Sequence, residues 1–148
     1  MKVAVVMGSK NDLSVVGKTL ETLKKFEIPF EARVISAHRS PEIAAQFADT
    51  AEERGVEVII AAAGKAAHLA GVIAGHTALP VIGLPIKSSM MDGLDSLLST
   101  VQMPDGIPVA QILSVKYECL KKALKDYKFE MQQKVIQADA ELQAEAAK

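Results

Sequence analysis

The stretch VAVVMGS at residues 3–9 decides the fold of this chain. A continuous apolar run from Val3 to Met7 is typical of a short strand covered on both faces, as in a parallel sheet. Gly8 and Ser9 then end the strand, and from Leu13 the apolar residues recur at spacings of three and four, as on a helix with one buried face. The opening therefore predicts a strand, a loop and a helix, the first half of an α/β unit.

The rest of the chain repeats this alternation. We expect strands near residues 30–35, 56–63, 79–85 and 107–113, and helices near 41–54, 66–75, 93–101 and from Tyr117 onward. The second strand alternates apolar and charged residues, which indicates an edge strand, whereas the fourth is apolar and is predicted to be buried. We therefore predict a three-layer αβα, flavodoxin-like α/β fold with about five parallel strands and a C-terminal helical extension. Residues 1–127 would form the α/β domain and residues 128–148 a helical tail.

Composition narrows the functional classes. The chain has 148 residues, the size of one domain, and its formal net charge of −1 provides no broad basic field. We therefore expect neither nucleic acid nor a membrane as a partner, and, without a signal-peptide pattern, a cytoplasmic location. Cys119 is the only cysteine and the three histidines lack convergent acids, so we predict no metal and no cofactor.

Three loops that follow predicted strands carry the polar residues of interest, and ligands bind such sheets beyond the carboxyl ends of the strands. The first loop places Gly8, Ser9 and free backbone donors ahead of a helix, as in an anion site, although a tight turn with a cap has the same pattern. Asp12 could bind ribose hydroxyls or only cap the helix.

The second loop brings a hydroxyl, an imidazole and a guanidinium within a few residues, on Ser36, His38 and Arg39. Arg39 can bind a phosphate through paired donors, and a histidine can exchange a proton with a bound base near neutral pH. The alternative is a surface ion pair beside a solvated histidine. The density of reactive groups makes this loop the candidate for chemistry.

The third loop begins with Gly64, which lets the backbone approach a ligand, and continues with the cation Lys65. Small residues make the following helix slender, which also fits a subunit interface or a tightly packed core. On spacing alone His68 fits a structural role better than a catalytic one. His76, at the end of that helix, fits a cation at the negative end of the helix dipole.

Other nucleotide-binding classes fit poorly. No G-x-G-x-x-G follows the first strand, and Gly64 with Lys65 lacks the remaining residues of a P-loop. A noncatalytic flavodoxin-like module of the receiver type would need acids at the ends of the first and third strands, where Met7 and Ala63 stand. A flavin-binding module fits the fold, but 4% aromatic residues and no Trp provide little to stack on a flavin.

Four segments, taken in order, resemble the PurE family. They are MGSKND at residues 7–12, SAHRSP at 36–41, AAHL at 66–69, and residues 93–108 with GLDSL, VQMP and GIP. The resemblance extends from Lys2 to about Tyr127 and implies the catalytic subunit of a phosphoribosylaminoimidazole carboxylase. In the bacterial branch this is an N5-carboxyaminoimidazole ribonucleotide mutase, which forms 4-carboxy-5-aminoimidazole ribonucleotide in purine (IMP) biosynthesis.

The resemblance also implies residue roles and partners. His38 corresponds to the general acid and base, and Ser9, Asp12, Ser36 and Arg39 correspond to ligands of the phosphate and ribose. The other implied substrate-binding residues are Gly8, Gly64, Lys65, Ala66, His68 and Leu69. A homo-octamer with sites at subunit junctions is implied as well, and so is a functional link to an ATP-dependent carboxyaminoimidazole ribonucleotide synthase.

Two positions depart from the bacterial pattern of the family. Lys65 stands where the bacterial pattern has a second glycine, and Ala70 stands where it has proline. A basic residue after Gly64 is similar to the animal-like carboxylases, which use free carbon dioxide. Arg39 and the segment Ala66-Ala67-His68 resemble the mutases, so the resemblance favours the mutase, with the aminoimidazole ribonucleotide carboxylase as the alternative.

Overall fold

The computed structural model describes residues 1–101 and 108–147. The strands are β1 (Val3–Met7), β2 (Phe30–Val34), β3 (Val58–Gly64) and β4 (Val81–Ile86). The helices are α1 (Leu13–Lys25), α2 (Pro41–Asp49), α3 (Leu69–His76), α4 (Leu94–Val101), α5 (Pro108–Ser114) and α6 (Glu118–Ala146), and a 3-10 turn at Lys10–Asp12 precedes α1.

The strands form one parallel sheet in the order β2-β1-β3-β4. β1 lies between two partners, and its residue Val5 pairs with Ala32 of β2 and with Ile60 of β3. The chain leaves β1 for one side of the sheet and then crosses to the other side, so the strand order reverses between β1 and β3. The predicted flavodoxin-like α/β fold is confirmed, and the reversal is where a ligand crevice is expected.

The two faces of β1 are buried in different hydrophobic clusters. Ala4 and Val6 belong to the cluster that the sheet forms with α2 and α3. Val5 and Met7 belong to the cluster on the opposite face, where α1 contributes Val16. Ala4, Val5 and Val6 are 0% exposed, so the opening apolar run is a strand covered on both faces, as predicted.

The edges of the sheet are less covered than its centre. Phe30 of β2 packs against the hydrophobic cluster on the side of α1. Val34 lies an even number of residues further along β2 and therefore faces the same side of the sheet. Val34 and Ile82, on the two edge strands, are each 54% exposed. β4 was predicted to be buried but is an edge strand of the described sheet. Val34 and Ile82 therefore leave apolar surface exposed at both edges of the sheet, on the face that α1 covers at its centre.

The strand predicted at residues 107–113 is wrong, because its described part belongs to helix α5, Pro108–Ser114. Residues 102–107 lie outside the described residues. Periodicity alone does not separate a short buried strand from a helical segment. Pro108 is the first residue of the helix, a position where the fixed φ of proline suits the helix and its missing N–H costs no hydrogen bond. The described sheet accordingly has four strands.

The C-terminal helical extension is present as α6, and its first half attaches it to the domain. Leu124 is the buried residue of this helix. Lys125 Nζ donates to Glu52 Oε2 over 2.7 Å, and the Lys128 ammonium donates to backbone carbonyls at the end of α3. Burial lowers the pKa of Lys128. Further along, Val135 is 69% exposed, so the second half of the helix is largely in contact with solvent.

Gly83 allows β4 to pack against α4. A Cβ at this position would lie 2.5 Å from Thr100 Cγ2 and 3.4 Å from Ala70 Cβ. We expect Gly83→Ala to lower the free energy of unfolding by about 1–3 kcal/mol, because the added methyl overpacks this contact. Thr100→Ser removes the opposing methyl but keeps the hydroxyl that donates to the Ser96 carbonyl. Chemical denaturation of Gly83→Ala/Thr100→Ser should therefore recover most of the loss.

Gly17 provides the control for this experiment. It lies within α1, and a Cβ there would have no heavy atom within 4 Å apart from its chain neighbours and the backbone of its own helix. Gly17→Ala should be neutral or stabilising by up to about 1 kcal/mol, since alanine favours helix. Equal losses in the single and double variants at Gly83 would contradict the proposed contact with Thr100.

Candidate active site

The loops after all four strands surround one cavity of about 640 Å³ at the carboxyl edge of the sheet. The cavity lies where the strand order reverses, as expected. Its lining includes most of the predicted site residues: Gly8, Ser9, Asp12, Ser36, His38, Arg39, Gly64, Lys65, Ala66 and Leu69. A space of this volume is typical of small-molecule sites.

The first loop is a hydrogen-bonded turn that continues β1. Gly8 N donates to Ala62 O over 3.0 Å and so extends the pairing of β1 with β3. Ser9 N donates to Asp12 Oδ2 over 3.0 Å, and Asn11 N donates to Ser9 Oγ over 3.2 Å. The Asp12 carboxylate therefore stabilises this turn and makes no capping bond to α1. The Ser9 hydroxyl accepts in this turn and keeps its own hydrogen for a ligand.

The charge state of Asp12 reflects its surroundings. Burial raises the pKa of its carboxyl, although the hydrogen bond from the Ser9 N–H and the positive charge of Arg39 oppose this increase. A partly buried carboxylate has lost some of its water partners. Ligand hydroxyl groups that donate to Asp12 would replace them.

The second loop is held by a pair of serines. Ser40 Oγ donates to Ser36 O over 2.9 Å and accepts from Ser36 N over 3.3 Å. Ser40 thus uses its hydroxyl to close the loop, and it makes no side-chain capping bond to α2. Within this loop Arg39 Nη2 donates to Gly8 O over 2.8 Å, which ties the second loop to the first.

A hydrogen bond joins the second loop to the third. His38 Nε2 lies 2.8 Å from His68 Nδ1, and the two rings meet edge to face with their centroids 5.0 Å apart. One hydrogen is shared between these nitrogens, so one imidazole donates and the other accepts. An imidazolium at His38 carries hydrogen on both ring nitrogens and would donate to a neutral His68. Sequence spacing did not indicate this contact.

The third loop is longer than predicted because α3 begins at Leu69 and not at Ala66. Ala66 and His68 therefore belong to the loop, where His68 N donates to Ala66 O over 2.9 Å. A Cβ on Gly64 would lie 3.2 Å from Ile86 O, so glycine allows β3 and β4 to end close together. Lys65 follows with a φ of 59°, in the left-handed region.

The sequence analysis missed the loop after β4. Lys87, Ser88 and Ser89 line the cavity, together with Ile86, Asn11, Ala37 and Ala63. Ser88 Oγ donates to Asp95 Oδ2 over 2.7 Å, and Lys87 forms an ion pair with Asp92. The predicted fourth strand could have indicated this loop, because the carboxyl ends of all strands in a parallel sheet meet at one edge.

Within residues 1–101 and 108–147 no group of three or more His, Cys, Asp or Glu side chains is arranged to hold a metal ion. In the same part of the chain no helix is both long and apolar enough to cross a membrane. The cavity offers a ligand the imidazole of His38, hydroxyl groups, one carboxylate and several cations, whereas His68 is absent from its lining and reaches the site through its bond to His38.

Comparison with known proteins identifies the family. A family model described as AIR carboxylase matches residues 2–134. The N5-carboxyaminoimidazole ribonucleotide mutase of Pyrococcus abyssi is 52% identical over 145 residues, which cover 88% of this chain and 83% of that protein. The protein of the same name from Saccharolobus solfataricus is 51% identical over 150 residues, with coverages of 91% and 95%.

Solved structures agree with this match. The crystal structure of Treponema denticola PurE has a TM-score of 0.63 and 27% sequence identity, and the match covers 95% of this chain and 98% of that one. The family model covers residues 2–134, which include all four loops of the cavity, and the relatives cover most of the sequence. The chain therefore belongs to the AIR carboxylase family, the PurE family that its sequence resembles.

Proposed function

We propose that this protein is an N5-carboxyaminoimidazole ribonucleotide mutase, which moves a carboxylate from the exocyclic nitrogen to a ring carbon of the nucleotide in purine biosynthesis. The observation that carries the proposal is the meeting of His38, Arg39 and Asp12 around one cavity. Two relatives that are about 50% identical to this chain over most of their length are named for that activity. No cofactor is required for the chemistry.

The first and second loops suit the nucleotide's phosphate and ribose. One nitrogen of the Arg39 guanidinium donates to Gly8 O, which fixes the group and leaves further donors for a phosphate. The Ser9 hydroxyl can donate to the same phosphate. The Asp12 carboxylate and the Ser36 hydroxyl are the corresponding partners for ribose hydroxyls. Gly8, Gly64, Ala66 and Leu69 shape the walls of the cavity.

The first chemical step is decarboxylation. Protonated His38 donates its proton to the exocyclic nitrogen while the bond from that nitrogen to the carboxyl carbon breaks. This releases carbon dioxide and leaves the aminoimidazole ribonucleotide beside a neutral His38. The hydrogen bond to His68 orients the ring during the transfer.

The second step forms the new carbon–carbon bond. The ring carbon attacks carbon dioxide, and neutral His38 then removes the proton from that carbon, which restores aromaticity and the imidazolium. No net proton is gained or lost. Carbon dioxide must remain beside the ring between the two steps, so the cavity must exclude water while it is occupied.

We further propose a homo-octamer with active sites at subunit junctions. Apolar side chains on three parts of the surface support an assembly: Ile82 of β4 is 54% exposed, Val101 of α4 is 62% exposed and Ile112 of α5 is 63% exposed. Contiguous exposed apolar surface marks interfaces between proteins, and these side chains would lie within such interfaces in the octamer. Light scattering tests the octamer, and a monomeric mass would contradict it.

The remaining proposals concern organisation and context. Residues 1–127 would be the catalytic unit and residues 128–148 a tail, because residues 132–146 of α6 are all exposed, beyond the contact of Lys128 with the end of α3. The protein would act in the cytoplasm. An ATP-dependent carboxyaminoimidazole ribonucleotide synthase would supply its substrate.

A parallel assay tests the function. The purified protein is given either the N5-carboxylated ribonucleotide or the uncarboxylated ribonucleotide with bicarbonate, and formation of the carbon-carboxylated product is followed. We expect rapid conversion of the first substrate alone. Preference for the second substrate would identify the protein as the carboxylase, whose animal-like members have a basic residue at the position of Lys65. Failure with both would contradict the proposed function.

Variants at the second loop separate chemistry from binding. His38→Asn removes the proton carrier, so we expect turnover to fall by at least about a thousandfold while nucleotide affinity changes little. Arg39→Ala removes a phosphate ligand and should mainly raise KM. Steady-state kinetics and calorimetric titration measure the two effects.

His76 provides the matched control for His38. It is an exposed histidine at the end of α3 that pairs with Asp49 over 3.2 Å, away from the cavity. His76→Asn should keep normal kinetics. Full activity of His38→Asn would remove His38 from the mechanism.

A further inference from the structure

Lys65 combines an unusual backbone conformation with a position in the cavity wall. Its φ of 59° lies in the left-handed region, which glycine adopts freely and a lysine does not. Its side chain is exposed, and the residue lines the cavity between Gly64 and Ala66. Glu27 and Asp92 have a similar φ away from the cavity lining, so it is the position of Lys65 in the cavity wall that bears on its role.

The three cations that line the cavity differ in their partners. Arg39 is bonded to the carbonyl of Gly8, and Lys87 is paired with Asp92. Lys65 forms no ion pair with a carboxylate of the described residues, 1–101 and 108–147. Arg39 and Lys65 are therefore the two of these cations that no carboxylate of the described residues neutralises, and the proposed function already assigns Arg39 to the phosphate.

The position of Lys65 also relates it to the reacting end of the nucleotide. Its loop contains His68, whose Nδ1 lies 2.8 Å from His38 Nε2. Arg39 is held at the end of β1 by Gly8, whereas Lys65 follows β3, the neighbouring strand. The two cations thus belong to different walls of the cavity. A ligand with its phosphate at Arg39 and its reactive ring at His38 directs that ring toward the loop of Lys65.

We infer that Lys65 binds the carboxylate that is transferred, and that it is a specificity-determining residue for carboxylated ribonucleotides. This inference rests on the proposed mutase function. The ammonium would pair with the carboxylate of the substrate and of the product, both anionic, but not with neutral carbon dioxide. Lys65 would thereby favour both carboxylated nucleotides over the uncarboxylated one and would leave the proton transfer to His38.

Calorimetric titration of two ligands tests the inference. The ligands are the carbon-carboxylated product and the uncarboxylated aminoimidazole ribonucleotide, which differ by the carboxylate and share the phosphate and ribose. Both are titrated into full-length His38→Asn protein, in which no turnover disturbs the measurement. We expect Lys65→Gln to weaken product binding about tenfold, the scale of one charge-assisted hydrogen bond, and to change the affinity for the uncarboxylated nucleotide less than about twofold.

Two further variants control for the backbone and for general charge. Lys65→Gly removes the ammonium and relieves the strained φ, so a selective loss equal to that of Lys65→Gln assigns the effect to charge. Lys10→Gln removes an exposed lysine from the turn after β1, which is absent from the cavity lining, and should leave both affinities unchanged.

The other outcomes distinguish the inference from the function on which it rests. Equal weakening of both ligands by Lys65→Gln would mean that Lys65 binds the shared phosphate, and this overturns the inference. Unchanged affinity for the product also overturns it. A protein with wild-type Lys65 and His38 that neither binds nor converts the ribonucleotides would instead overturn the proposed function.

Discussion

The pairing of β1 with two parallel neighbours is the constraint on which the site depends. β1 is buried on both faces and bonded along both edges, so its carboxyl end is a fixed point. The first loop continues from that end through the bond from Gly8 to Ala62, and Arg39 of the second loop donates to the carbonyl of Gly8. His38 then bonds to His68 in the third loop. Each loop is therefore positioned relative to the same strand end.

Much of this arrangement could be predicted from local sequence. A continuous apolar run, a small-residue turn and a proline at a helix start act through nearby backbone geometry, so β1, the first loop and α2 were recognisable. The predictions that failed depend on the neighbours of a segment. The apolar run near Ile112 was predicted to be a strand although Pro108, just before it, suits the first position of a helix. β4 is exposed because no further strand of the described sheet lies beside it. The bond between His38 and His68 joins residues that are far apart in sequence, which spacing does not reveal.

The proposed chemistry depends on retention of a neutral molecule between two steps. Ionic groups position the phosphate and the carboxylate, but carbon dioxide has no charge for them to bind. Its retention must come from the walls of the cavity, including small residues such as Gly64 and Ala66. The exposed apolar margins of the sheet and of α4 suggest that neighbouring subunits complete those walls in the proposed octamer. Catalysis would then depend on assembly of the octamer.

The most direct test of this account follows the carboxyl carbon itself. The N5-carboxylated ribonucleotide, labelled with carbon-13 at the carboxylate, is converted in the presence of excess unlabelled bicarbonate, with His38→Asn protein as the correction for spontaneous decarboxylation. Mass spectrometry of the product at early conversion then reports the origin of its carboxylate. Retention of the label in most of the product is the predicted result, because the released carbon dioxide stays beside the ring. A product labelled no more than the bicarbonate pool would contradict transfer within the cavity.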